Sequence, residues 1–233
     1  MTELLKALIV VLTVSLGGFV YGQMVFGSIV SRGTIGRWRN IFIAATLAAF
    51  LIPNFWLVLF AVALIPLMFG VGERNRPALY LLLLFAFPVA DEVVPGFGGI
   101  RNFLNLYPFN ILALVILFPL LFARAENRGV RNVGAMADYF FIGYSLLILG
   151  LAYRDTSVTD GFRQSAAYIL TAFGPYLVFS RYTWTKDRMK AATLAFTLPL
   201  IILSALAALE SVLGWHFYKP AVDNWGIGER ITY

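Results

Sequence analysis

Few residues in this sequence combine a type and a setting suited to chemistry. Glu210 follows the apolar run 198–209 and stands about one turn before Gly214-Trp215, so its carboxylate falls near a helix end. There it can pair with a cation on a neighbouring helix, line a polar cavity, face solvent, or take a proton as a base. Arg101, Arg154, Arg163 and Arg230 lie in polar stretches between apolar runs. A guanidinium fork holds phosphate oxygens bidentately, and it pairs equally well with a carboxylate such as Asp155 or Asp160. His216, the single histidine, sits between Trp215 and Phe217 and cannot by itself build a multi-histidine metal site. Its neighbours suit an interfacial position, with a general base as the alternative. Asp138 falls where an acid complements the first turn of a helix.

Much chemistry is excluded. The sequence has no cysteine, which removes disulfides, thiolate zinc sites, iron–sulfur clusters and a cysteine nucleophile together. No HExxH, GxSxG, P-loop or strand-borne GxGxxG pattern occurs, and no metal or cofactor is expected. The glycine-rich Pro95-Gly96-Phe97-Gly98-Gly99 suits a loop better than a phosphate cradle. The formal net charge of +6 comes from Lys and Arg in short connections, a pattern for anionic lipid and not for nucleic acid.

The elements that must carry these residues are written in the hydropathy. Of the 233 residues, 60% are hydrophobic and 13% charged, and the mean hydropathy is +0.80. A soluble domain has about a quarter of its residues charged. Apolar runs separated by charged or Gly/Pro-rich breaks predict an all-α, polytopic transmembrane bundle of about eight helices, at 4–30, 40–52, 55–71, 77–90, 105–123, 137–153, 164–180 and 190–213. The first run lacks a basic leader and a small-residue cleavage site and is read as a helix. Pro53-Asn54 suits a tight hairpin or a kink in one long helix, and 91–99 suits a segment dipping back into the membrane. Pro53, Pro88, Pro119, Pro175 and Pro199 mark candidate helix breaks. With eight spans, 12 of the 18 Lys and Arg residues fall in the connections after helices one, three, five and seven, which places that side in the cytoplasm. Thr185 is a candidate cap for the last helix, with Asp187 in its first turn. The tryptophans mostly fall at span ends, where indoles settle at headgroup level; sugar stacking by Trp215 or Trp225 is the sharper alternative. No repeat or long linker divides the chain, so residues 1–233 are read as a single transmembrane domain.

From Asp160 onward the series Asp160-Gly161-Phe162-Arg163-Gln164, Gly174-Pro175-Tyr176, Ser180-Arg181, Thr185-Lys186-Asp187 and Ala208-Leu209-Glu210-Ser211-Val212-Leu213-Gly214-Trp215 resembles the middle of the O-antigen ligase and O-antigen polymerase-like membrane proteins. Tyr107-Pro108-Phe109-Asn110, opening a helix, is compatible with the same group. The resemblance spans residues 75–233. It implies a glycosyltransferase of the GT-C type in the bacterial inner membrane, multi-pass, using an undecaprenyl-diphosphate-linked saccharide on the outer face. It implies lipid-diphosphate binding by Arg163, Arg101 and Arg230, with Glu210 the candidate catalytic base. Members of the group have more spans and a large outer loop, so the chain is expected to be the N-terminal portion of a longer protein. Expected partners are membrane lipid, the lipid-linked saccharide, a remaining C-terminal part and other polysaccharide-assembly proteins. Two other readings stay open: a transporter or flippase, for which no paired halves are visible, and a non-catalytic membrane scaffold.

Overall fold

The computed structural model describes residues 2–70, 75–95, 102–122, 135–154, 156–182 and 185–227. The described residues are overwhelmingly helical, with one short pair of strands, as an all-α reading requires. They fall into two compact units, residues 1–90 with 184–233, and 91–183.

The first unit contains α1 (Thr2–Phe26), α2 (Arg32–Leu51), α3 (Phe55–Phe69), α4 (Arg76–Leu83), α10 (Lys186–Leu213) and α11 (Lys219–Asn224). Helix starts follow local chemistry. Ser31 Oγ accepts the Thr34 N–H at 3.2 Å, Asn54 Oδ1 accepts those of Trp56 and Leu57, and Thr185 Oγ1 accepts that of Arg188, each satisfying donors that a first turn leaves open. The Ser31 cap starts α2 well before residue 40, so Arg37 and Arg39 ride on the helix and not in a connection. The break at Pro53-Asn54 joins two helices that pack against each other, which selects the hairpin over the kinked rod.

α10 runs through Pro199 without a break and packs on α1 and α4. The contact with α1 is close because α1 offers glycines one turn apart. A Cβ on Gly18 would stand 2.6 Å from Ile202 Cγ1, and one on Gly22 would stand 2.3 Å from Leu198 Cδ2. The core between the helices holds Phe19, Trp38, Phe42, Phe50, Leu82 and Leu198, with the Phe19 and Phe42 rings 5.5 Å apart. Trp38 is 0% and Trp225 3% exposed. Both were expected as interfacial residues at headgroup level; their rings are instead packed among helices, and that burial removes Trp225 from sugar stacking.

In the second unit, β1 (Glu92–Pro95) and β2 (Asn102–Leu106) pair antiparallel, and Asn105 Nδ2 donates to Asp91 Oδ2 at 3.0 Å. Of the segment 91–99 expected to dip back into the membrane, 92–95 form this strand and 96–99 lie outside the described residues. Two rods follow, each with a π-helical turn: α5 (Pro108–Leu112), Ala113–Leu117 and α6 (Phe118–Phe122), then α8 (Val158–Tyr168), Ile169–Phe173 and α9 (Gly174–Arg181). Proline explains both turns. Pro119 and Pro175 have no N–H and crowd the carbonyl four residues back, and the residue before each, Phe118 or Gly174, donates instead to the carbonyl five back, Ala113 or Ile169. Neither proline breaks its helix.

α7 (Ala135–Ala152) lies along the second rod. Tyr176 Oη donates to Asp138 Oδ1 at 2.8 Å, Ser145 Oγ and Tyr168 Oη share a hydrogen bond at 2.9 Å, and the Phe141 and Tyr176 rings stack at 3.7 Å. Asp138 does fall in the first turn of α7, and the tyrosine gives it a second role across the interface.

By length and composition, the stretches Glu3–Phe26 and Lys186–Leu213 are fit to cross a membrane, whereas Phe55–Phe69, Pro108–Phe122 and Met136–Ala152 are apolar but shorter.

Candidate functional site

Among the described residues, a cluster of polar side chains is built at the C-terminal end of α10. Gly214 ends that helix at φ 62°, a left-handed conformation that favours glycine, and its N–H returns to the Glu210 carbonyl at 2.8 Å. The reversal brings the next residues back over the last turn. Glu210 Oε1 accepts the Phe217 backbone N–H at 2.7 Å, and Oε2 faces His216 Nδ1 at 3.7 Å, beyond hydrogen-bond reach. Phe217 is fully buried, so its amide needs that acceptor.

α11 closes the arrangement. Trp225 Nε1 donates to the Ala49 carbonyl at 2.7 Å and Asn224 Nδ2 to that of Phe50 at 3.2 Å, satisfying carbonyls that the end of α2 leaves open. The Tyr218 ring packs 5.7 Å from Phe50 and that of Trp225 5.7 Å from Phe55. Lys219 pairs with Asp223 at 2.8 Å along the helix.

Between this turn and the segment after α4 lies a cleft of about 330 Å³. Leu84, Phe85, Phe87, Pro88, Val89, Leu203 and Val222 give it apolar walls, and Glu210, His216, Tyr218 and Lys219 add polar groups. The residues after Leu83 were expected to continue α4 to residue 90. They leave the helix through a turn at 84–86 ahead of Pro88, which cannot accept a place in the ladder, and so become cleft wall. The Tyr218 hydroxyl is buried without a hydrogen-bond partner among the described residues. Burial pushes its pKa well above the usual tyrosine range, and the negative charge of Glu210 pushes it the same way, so the phenol stays protonated.

The other expected site residues are placed differently. Arg163, on α8, pairs with Asp160 at 2.9 Å; Asp160 is itself held by Ser157, whose Oγ caps α8 and donates to Asp160 Oδ2. Arg101 and Arg230 lie outside the described residues. Glu210 belongs to the first unit and Arg163 to the second. Among the described residues, no group of three or more His, Cys, Asp or Glu side chains is arranged to hold a metal ion.

A cation on a neighbouring helix was one expected partner of Glu210; the hydrogen-bond partner is local, the Phe217 N–H, with His216 Nδ1 3.7 Å away. The signal was present in Gly214, four residues after Glu210, which ends the helix and folds the chain back. The roles of Tyr218 and of the 84–89 segment depend on tertiary packing and had no such signal. No protein-family model, no curated protein and no solved structure matches this chain. What the fold itself defines is an all-α protein in which, among the described residues, two helices are long and apolar enough to cross a membrane.

Proposed function

We propose that this chain is a multi-pass protein of the bacterial inner membrane that handles undecaprenyl-diphosphate-linked glycan in the manner of O-antigen ligases and polymerases. The observation that carries the reading is the position of Glu210: a carboxylate at the end of a 28-residue apolar helix, on the edge of an apolar cleft. A carboxylate so placed can orient or deprotonate an acceptor hydroxyl, while the apolar walls accept a lipid tail. Arg163, partly exposed beside Asp160, is the described residue assigned to the diphosphate; exchanging one anion for another on a guanidinium keeps its charge compensated.

The membrane reading draws support from exposed apolar side chains. α1 presents Leu5, Ile9, Leu16, Val20 and Met24, and α7 presents Met136, Phe140, Tyr144, Leu147 and Leu151, faces that water does not favour and lipid does. In this reading α1, α2, α3, the rod 108–122, α7, the rod 158–181 and α10 are spans, the shorter of them relying on local thinning of the bilayer. The helix α4, eight residues and about 12 Å long, does not reach across as the expected fourth span would.

A second reading has one observation in its favour: Glu210 Oε1 is already engaged by Phe217 N–H, as a purely structural carboxylate would be. That reading makes the chain a non-catalytic membrane component. Native mass spectrometry with an undecaprenyl-diphosphate-linked saccharide tests the proposal. Retention well above that of phosphatidylglycerol, lost in Arg163→Ala, is the expected result. Retention no better than that of phosphatidylglycerol overturns the glycan-lipid reading and leaves the structural one.

A further inference from the structure

The polar groups of the cleft select a kind of ligand. Glu210 Oε1 is engaged by the Phe217 amide, while Oε2 has only His216 Nδ1 at 3.7 Å and retains acceptor capacity. Lys219 lines the cleft but is already neutralised by Asp223 at 2.8 Å. The lining therefore brings one carboxylate, one imidazole facing that carboxylate, one compensated ammonium and the buried Tyr218 hydroxyl.

An anionic head, whether phosphate, sulfate or fatty-acid carboxylate, would meet the Glu210 charge at short range in apolar surroundings, where like charges repel most strongly. A quaternary ammonium head would be drawn by the Glu210 charge, but it has no hydrogen to donate and would leave Oε2 without a hydrogen-bond partner. A neutral hydroxyl meets neither obstacle. It donates to Glu210 Oε2 in a charge-assisted bond and can accept from His216 or Lys219. The walls from Leu84, Phe85, Val89 and Leu203 then take an apolar chain. A volume of about 330 Å³ lies at the low end of the roughly 300–1,000 Å³ of small-molecule pockets, so it suits one chain and not several.

We infer that this cleft binds a neutral, hydroxyl-bearing amphiphile, with a head-group hydroxyl on Glu210 and a single apolar chain along the α4–α10 wall. The inference rests on the glycan-transfer reading only in its placement: there, this is the side for the hydroxylated acceptor and not for the diphosphate donor. As a binding site it stands without that reading.

The test uses the full chain in phosphatidylcholine nanodiscs and three photoreactive probes. They share one diazirine-bearing dodecyl chain and differ in head group, carrying a glucoside, a sulfate or a trimethylammonium. Cross-linked peptides are quantified by mass spectrometry. The expected result is glucoside labelling concentrated on residues 84–89 and 203–222, exceeding that of the sulfate probe by roughly tenfold and that of the trimethylammonium probe by a smaller margin. Glu210→Gln, whose amide oxygen can still accept the Phe217 N–H, should lower glucoside labelling by roughly tenfold through loss of the charged acceptor. Val222→Trp, which fills the cleft from α11, should abolish it without requiring any change at Glu210. Equal labelling by the three probes, labelling spread evenly over the apolar helices, or full labelling of Glu210→Gln overturns the inference. Glucoside labelling without retention of the lipid-linked saccharide would sink the transfer reading and keep this one; the reverse pattern would do the opposite.

Discussion

The indole Nε1 of Trp225 donates to the carbonyl oxygen of Ala49 at 2.7 Å across 176 positions of sequence. Through this bond a six-residue helix, too short to be stable alone, is fixed against the end of α2, and with it the wall of the cleft. Trp225→Phe removes the donor and leaves a buried carbonyl unpaired, at a cost of about 1–3 kcal/mol. Asn224→Ala, which loses a longer bond, should cost less. Scanning calorimetry in detergent would rank the two variants, and equal melting temperatures for both and the wild type would show that α11 is not held this way.

Glu210 should prove structural as well as functional. Glu210→Ala strips the acceptor from the buried Phe217 amide and should destabilise the protein by about 1–3 kcal/mol. Glu210→Gln should recover most of that loss. Limited proteolysis across residues 214–218 is the readout: rapid cleavage in the Ala variant and near wild-type resistance in the Gln variant are expected. Indistinguishable digestion of all three would mean that the carboxylate does not hold this turn.

Tyr218 sets an alkaline limit. Its phenol titrates above the usual value of 10 in the folded protein because burial, and then the Glu210 charge, disfavour phenolate. The unfolded chain loses the proton first as pH rises. The stability associated with the protonated phenol is therefore fully present below about pH 10 and declines above it, as pH moves toward the folded value. Tyr218→Phe should flatten that decline between about pH 10 and 11.5. It should also raise stability at neutral pH by about 1 kcal/mol, since it removes a buried hydroxyl without a partner. A wild-type stability curve with the same alkaline slope as the Phe variant would contradict the assignment.

How far the sequence foretold this structure depends on the range of the forces involved. Helices were legible because an apolar run with a cap at one end specifies itself locally; Thr185 before Lys186 and Asn54 before Phe55 both cap as their types suggest. Pro119 and Pro175 announced disturbed helix, although their outcome, a π-helical turn, depends on how the rod absorbs the missing donor. Val93-Val94 next to a glycine-rich segment was a weak strand signal that loop composition masked. Glu210 was legible as a charge near the end of an apolar helix, and Gly214 indicated that the chain would fold back to it. The buried positions of Trp38 and Trp225 were not, because amphipathic indoles suit an interface and a core alike, and only tertiary packing, such as that of Trp225 on Phe55, decides between them.

The glycine pair on α1 sets how closely α10 approaches. Gly18→Leu or Gly22→Leu must displace Ile202 or Leu198, and overpacking of this kind costs about 1–3 kcal/mol. Gly17→Leu is the control, since a Cβ there meets nothing within 4 Å. Thermal unfolding of the three variants should therefore separate the first two from the third. Equal losses at all three sites would point to glycine's backbone and not to helix contact.

Arg163 separates stability from function more cleanly than Glu210 does. Its pair with Asp160 joins partly exposed side chains three positions apart on one helix, an arrangement worth at most about 1 kcal/mol once solvent screening is included. Arg163→Ala should therefore fold and melt like the wild type. If the guanidinium holds a lipid diphosphate, the same substitution should lower retention of the lipid-linked saccharide by at least tenfold, because one charge-assisted contact to an anion is worth about 1.5–3 kcal/mol. Arg163→Lys should recover part of it, keeping the charge and losing the bidentate geometry. Arg188→Ala, in the first turn of α10, supplies the comparison. A selective loss at Arg163 ties that residue to the donor, whereas equal losses at Arg163 and Arg188 would reduce the effect to general attraction between a basic protein and an anionic lipid and would withdraw the diphosphate role from Arg163.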